Sequence, residues 1–393
     1  MIDYSKLGLN DQLQSFQSPI SKSVPDAMDI DLKNGITPGA INYTAVGNAG
    51  REYKAIVAMG AEPGIYNNIQ QAIDYVNRIG GGNIFINAGT YVISSNLTMY
   101  SNIHLIGEDY NTTVFNFNSG TNIIASKGVV GTRKRNMIFE NLQFKTGRAG
   151  TEGVISFQYA DDCYVRNCYF TDNYDSTVKS TYDIKIDNCD RMRIFDNQSV
   201  NSFRFCVLSS DNYYWAERNY ITGNYGDAWN ITTSNYVFIN NNFLGTSNLV
   251  STENAMVYAV STGVYMTVHN NQFIETSKRI IYFNGANQAF INNNFLVSNG
   301  TADYNIYLID SNRVTINSNF LKVAQTNAIR IDNSDMITIV GNVLTDNASG
   351  TAILIDSNSG TVGVVGNVFH NNPGGRISNL STGGTVDANA PGN

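Results

Sequence analysis

VTINSNFL (Val314–Leu321), ITIVGNVL (Ile337–Leu344) and VGVVGNVF (Val362–Phe369) are one sentence written three times. Two apolar residues flank an outward one, a spacer follows, and an Asn precedes the next apolar residues. The frame runs back up the chain through AFINNNFL (Ala289–Leu296), MTVHNNQF (Met266–Phe273), VFINNNFL (Val237–Leu244), YWAERNYI (Tyr214–Ile221) and MRIFDNQS (Met192–Ser199). Two further copies, CYVRNCYF (Cys163–Phe170) and MIFENLQF (Met137–Phe144), place Cys168 and Leu142 in the Asn slot.

Successive Asn slots lie 22 to 29 residues apart. That period is too short for a propeller blade, and no copy holds the helix-length apolar stripe of a leucine-rich or ankyrin repeat. A parallel β-helix remains. Its turns rise about 4.8 Å, so each residue stacks on its equivalent and inward slots must be apolar. Val314/Ile316, Ile337/Ile339 and Val362/Val364 meet that demand. An Asn at the bend tolerates unusual dihedrals, and its amide donates to one neighbour while accepting from the other, forming a ladder. A further strand precedes each sentence, with inward pairs Ile329/Ile331, Ile353/Ile355, Trp229/Ile231 and Ile184/Ile186, which places Trp229 in the core. Asp187, Asp332 and Asp356, just after these strands, read as turn residues.

The 393 residues fit one solenoid. Charged residues are 15% and the net charge is -7, which excludes the basic stripe of a nucleic-acid binder. No apolar run is long enough to insert into a membrane. The N-terminus lacks the basic and apolar regions of a secretory signal, so either a leader was removed or the protein leaves the cell another way, as in a virion. Cys163, Cys168, Cys189 and Cys206 lack metal-site spacing and read as core or ladder fillers, with one disulfide left open. His104, His269 and His370 are scattered, so no metal and no cofactor is expected.

Residues 1–60 read as an attachment or capping extension, 61–372 as the solenoid, and 373–393 as a flexible or assembly tail. Ile69, Ala72, Ile73, Val76 and Ile79 make an apolar face at helical spacing, predicting a helix over 67–79 with Asn67 or Asn68 as N-cap and Gly80–Gly82 as terminator. It would cover the open first rung. This helix, then GGGNIFINAGTYVI (Gly80–Ile93), NIHLIGE (Asn102–Glu108) and the NxF-type rungs resemble the pectate-lyase-like right-handed β-helix superfamily, tailspike and polysaccharide-depolymerase type. The resemblance spans residues 64 to 372 and implies an all-β, single-stranded right-handed parallel β-helix of about 10–13 rungs. It also implies a homotrimer acting on polysaccharide outside the cell or on a virion. Tyr66-Asn67-Asn68 stand where such proteins often carry Asp-Asp-Thr, and no polygalacturonase motif or calcium-binding carboxylate cluster is present.

Core slots are occupied by packing, so chemistry belongs on outward slots. One outward column reads Ile138, Tyr164, Arg193, Trp215, Phe238, Thr267, Phe290, Thr315, Thr338, Gly363; the next reads Glu140, Arg166, Phe195, Glu217, Asn240, His269, Asn292, Asn317, Val340, Val365. The first column is aromatic and basic in its upper half, and the charges cluster between about residues 140 and 220. Tyr164, Arg166, Trp215, Arg204 and Phe238 are therefore expected to bind sugar through apolar faces and charged groups, or alternatively to pack against a loop or subunit. Glycoside hydrolysis needs two carboxylates about 5 to 10 Å apart, which Glu217 with Asp183 or Asp187 would supply, with Asp227 in reserve. β-Elimination needs a basic group, for which Lys185, Arg193 and Arg204 qualify. The expected activity is polysaccharide binding with lyase or hydrolase chemistry. A non-catalytic virion or adhesion role, or a sugar-polymer epimerase or transferase, are the alternatives, because fold alone does not decide.

Overall fold

The computed structural model describes residues 52–387, apart from 61–64, 118–123, 147–152, 173–181, 246–254, 261–262, 277–278, 301, 382 and 384. Most of the expected N-terminal extension, the TDNYDSTVKST segment after Phe170 and the last residues of the tail lie outside the described residues.

Each turn of chain lays down three short strands. One rung runs through Asn212–Glu217 in sheet I, Tyr220–Thr222 in sheet II and Trp229–Thr232 in sheet III before Asn235–Asn240 returns to sheet I. All pairings between rungs are parallel, building one sheet of sixteen strands and two of twelve. The result is a solenoid of about 11 turns. Sheet I begins with Tyr53–Val57, inside the segment expected to be separate, and Ile377–Asn379 and Thr385–Asp387 add strands beyond residue 372. Tyr53, Ala55 and Val57 carry the same inward alternation as the later rungs. The stretch is too short for a repeat search to register.

Alternation decides what faces the core. Ile194, Ala216, Ile239, Val268, Ile291, Ile316, Ile339 and Val364 form one buried column of sheet I. Trp229 is fully buried, edge-on to Phe205, with its indole N–H donating to Tyr214 Oη at 3.3 Å. A helix at Ile69–Arg78 buries Ile69, Ala72, Ile73 and Val76 over the first rungs, and Asn68 Oδ1 caps it by accepting from Gln71 N at 3.1 Å. Burying those four apolar side chains, at about 1.5–3 kcal/mol for each large one, outweighs the weak propensity of so short a helix.

Polar ladders lock two of the three corners. Between sheets I and II, Asn197, Asn219, Asn242, Asn271, Asn294, Asn319, Asn342 and Asn367 stack without interruption. Each side-chain amide and backbone N–H donates to the Oδ1 of the next. Cys168 N donates to Asn197 Oδ1 and starts the column. The left-handed dihedrals belong to the spacer before the Asn, not to the Asn itself: Ser318 has φ 55°, Gly341 φ 65° and Gly366 φ 66°. The ladder Asn keeps ordinary backbone so that its amide points into the tube; the spacer makes the bend.

The corner between sheets III and I carries a second ladder, through Cys189, Asp211 and Ser234, and through Ser311, Ser334 and Ser359. The four cysteines are all buried and free. The thiols of Cys163, Cys168 and Cys189 each donate to the carbonyl two residues back, as Ser234, Ser311 and Ser334 do.

Candidate functional site

The two outward columns expected on sheet I are present residue for residue in the strand register. Arg193 is inserted between two rings, its guanidinium carbon 5.5 Å from the centroid of Tyr164 and 5.3 Å from that of Trp215. Trp215 stacks in turn on Phe238 at 5.6 Å and 9°. A parallel stack of Tyr213, Tyr236 and Tyr265 runs beside it. Rings piled along the solenoid axis turn their faces to one another, so they show mainly edges to solvent. A sugar's C–H surface needs a ring face. Arg166 is committed to Glu140 at 2.7 Å, and Glu217 to Arg218 at 2.7 Å.

Lys185, Arg204, Asp183 and Asp227 stand elsewhere, on sheet III or at its entry. The corner ladder divides them from the sheet I group, so the ten expected site residues form two groups rather than one groove. Asp183 points inward, not outward. It is fully buried and accepts from Ser199 Oγ at 2.5 Å and Ser202 Oγ at 2.7 Å. Its strand opens with two consecutive inward residues because the chain is still turning in from sheet II. In the neighbouring rungs the same slot holds Val154, Phe205, Ala228, Met256 and Ile280, all buried. Apolar residues at these equivalent slots are the sequence signal that this position faces inward.

Asp227 is also buried, 1% exposed, beneath Arg204. Its Oδ2 lies 3.2 Å from Arg204 Nε and accepts from Asn230 Nδ2 at 2.7 Å, and its Oδ1 accepts from Ala255 N at 3.1 Å. The Arg204 N–H points off the line to the oxygen, so this contact is an ion pair rather than a straight hydrogen bond. Burial pushes the Asp227 carboxyl up to about 6, against the lowering effect of Arg204. The arrangement fixes Arg204 over the rings of Tyr182 and Phe203. With every near oxygen site occupied and no access to solvent, Asp227 positions a guanidinium; it does not meet a ligand.

A second cluster, absent from the expected site, lies farther along sheet III. Tyr258, Tyr282, Tyr307 and Arg330 share one outward column, flanked by Arg279, Tyr304 and Asp332. Asp332 Oδ2 accepts from Tyr307 Oη and Arg330 Nε, both at 2.8 Å, and Arg330 Nη1 donates to Tyr304 Oη at 2.6 Å. Burial and then the bond to Asp332 hold the Tyr307 hydroxyl above its ordinary value. Asp356 does cap its turn, through Asn333 N and Ser359 Oγ, but Asp332 serves this cluster. The rung spacing places this column as plainly as those of sheet I.

Among the described residues no three His, Cys, Asp or Glu side chains converge on a point that would hold a metal ion.

Residues 230–379 match the family described as periplasmic copper-binding protein (NosD). The described residues do not assemble a copper site from His, Cys, Asp or Glu. No curated protein matches the chain. Among solved structures, the Mannuronan C-5 epimerase AlgE6 A-module of Azotobacter vinelandii superposes with TM-score 0.56 at 13% identity, over 82% of this chain and 94% of its own. The catalytic unit of the GH87 alpha-1,3-glucanase of Streptomyces thermodiastaticus gives 0.61 at 13%, over 89% and 70%. The tailspike protein of E. coli bacteriophage HK620 gives 0.51 at 13%, over 90% and 69%. The chain is a right-handed parallel β-helix. Sheets I and III both carry rings and guanidinium groups outside the core; on sheet III Tyr258 and Tyr282 are stacked at 9°, but Tyr307 is tilted by 64° from Tyr282 and by 49° from Tyr304, so these rings do not all turn their faces to one another.

Proposed function

We propose that this β-helix binds an extended polysaccharide along the outer face of sheet III, at a cell exterior or on a virion. One observation carries the reading: seven successive strands of that sheet, from Tyr182–Asp187 to Asn327–Asp332, present Tyr182, Lys185, Arg204, Asn230, Tyr258, Arg279, Tyr282, Tyr304, Tyr307 and Arg330 on one side. Six steps of about 4.8 Å make a strip roughly 29 Å long. A strip of that shape suits a linear polymer better than a compact ligand, which would take a deep pocket. The mannuronan epimerase and the alpha-1,3-glucanase among the structural neighbours support a glycan.

A recognition role is favoured over cleavage by the acids expected from sequence. Asp183 and Asp227 are shut off from solvent, and Glu217 is on another face, paired with Arg218. Sheet II supports the expected homotrimer, because Tyr220 and Phe243 stack at 4.9 Å and Phe295 and Phe320 at 5.0 Å on its outer side, followed by Val343 and Val368.

A panel of neutral and anionic polysaccharides tests the reading, with binding, absorbance at 235 nm and reducing ends measured together. Binding with neither product is the expected result. Absorbance would establish a lyase and reducing ends alone a hydrolase, each correcting the chemistry while keeping the substrate class. Silence in all three measurements overturns the proposal.

A further inference from the structure

The far end of the sheet III face carries more positive charge than its own hydrogen bonds use. Arg279 and Arg330 both rest on Tyr307, each guanidinium carbon 5.3 Å from that ring centroid, and Arg279 also lies 5.0 Å from the centroid of Tyr282. Arg330 is paired with Asp332 at 2.8 Å. Among the described residues Arg279 has no carboxylate partner within ion-pair distance. Two guanidinium groups against one carboxylate leave a net positive spot on a chain whose overall charge is -7.

The cluster is also built at a cost. Asp332 is 8% exposed, and its Oδ1 is buried without a hydrogen-bond partner. A buried carboxylate oxygen left unpaired is destabilising, and an apolar pair in these outward slots would stabilise the sheet without it. What the arrangement does achieve is orientation. Asp332 and Tyr304 Oη hold two nitrogens of Arg330, the tyrosine rings hold both guanidinium planes, and an anionic group above Tyr307 is within reach of both arginines. Guanidinium forks match planar or tetrahedral oxyanions where a lysine would offer only a point charge. The edges of Tyr258 and Tyr282, which stack on one another at 9°, and the tilted ring of Tyr304 alongside supply apolar surface for a sugar ring.

We infer that rungs Arg279–Asn284 through Asn327–Asp332 form a subsite for an acidic sugar, in which Arg279 and Arg330 bind a carboxylate or sulfate group carried on the ring. This inference rests on the glycan-binding reading above and adds the charge of the bound unit.

The test is affinity electrophoresis of the full chain in gels containing four polymers: polygalacturonate, its methyl ester, dextran sulfate and dextran. The charged member of one pair retards the protein more than its neutral partner, and salt at roughly 0.5 M, which screens charges beyond a few ångströms, removes that difference. Retardation by polygalacturonate assigns the carboxylate as the ligand group; retardation by dextran sulfate assigns the sulfate. Arg279→Gln weakens binding of the retarding polymer by at least about tenfold, the worth of one charge-assisted contact, and Arg279→Lys restores part of it. A thermal melt accompanies each variant, and the salt and matched-pair arms need no variant. Equal retardation by charged and neutral partners overturns the acidic subsite and leaves the glycan reading standing. Absence of retardation by any of the four overturns both.

Discussion

Replacing Asn294 with Ala in the middle of the Asn ladder measures what the repeated sentence is for. The Asn294 amide donates to Val268 O at 2.8 Å and to Asn319 Oδ1 at 2.9 Å, while its Oδ1 accepts from both the backbone N–H and the side-chain amide of Asn271 at 3.0 Å. The substitution removes all four bonds. The Asn271 side chain keeps its bond to Ile239 O, so two N–H groups of Asn271 are left without acceptors inside the tube. At about 1–3 kcal/mol for each buried orphan, the loss comes to about 4 kcal/mol. That magnitude far exceeds the ±0.5 kcal/mol typical of a surface site. Thr338→Ala, an exposed position on the same solenoid, is the matched control. Equilibrium urea unfolding, followed by far-UV circular dichroism and by the fluorescence of Trp215 and Trp229, reads both variants. A loss below about 1 kcal/mol for Asn294→Ala, or one equal to the control, would refute the claim that the ladder is an energetic necessity rather than a by-product of the backbone.

Two further outcomes follow from burial. Asp227 has a folded-state value near 6 against about 3.9 in an unfolded chain, so its contribution is fully present below pH 4 and is lost as pH rises through 6, by about 3 kcal/mol in all. Asp227→Asn, which stands in for the protonated carboxyl present near pH 4, should start close to the natural chain there and then gain on it between pH 4 and 7 in urea titrations; a variant that loses ground over that range reverses the argument. All four thiols are buried, and burial pushes those of Cys163 and Cys168 up to about 12. An aromatic disulfide reagent should therefore label none of the four in the native protein at pH 8 and all four in denaturant, and rapid native labelling would show that the tube opens.

What was legible in the sequence was whatever repeats. The Asn slots, the inward pairs and both outward columns of sheet I appear in the register at the positions their spacing gave, because stacking forces each residue to meet its own equivalent. Trp229 was placed correctly for the same reason: its column continues into Val257, Ile281, Ile306 and Ile329. Single departures were harder. Period-2 alternation turned Asp183 outward, whereas a strand that begins inside a bend buries two residues in succession. Proximity along the chain suggested one charged patch near residues 140–220, but neighbours in sequence sit on different faces once every rung turns three corners. The Tyr/Arg cluster recurs at the same rung spacing but lies in the strand before each repeated sentence, outside the copies whose outward slots make the sheet I columns.

The three corners are not equivalent in length. Two residues join sheet I to sheet II from Phe195 to Gln198, Glu217 to Tyr220 and Asn317 to Phe320, and two join sheet III to sheet I from Asp187 to Asp190, Ser209 to Asn212 and Ile309 to Asn312. Between sheets II and III the connection is three residues from Val200 to Arg204 but ten from Leu244 to Ala255. Ladders run through the first two corners; the first keeps one length throughout, while the second takes one extra residue between Ile355 and Val362 and still keeps the Ser334–Ser359 step. The third corner is where chain length is a free variable, and it opens beside the face that carries the arginines and tyrosines. New walls for that face, whether acquired by evolution or grafted by design, have a place to enter that costs the tube nothing in register.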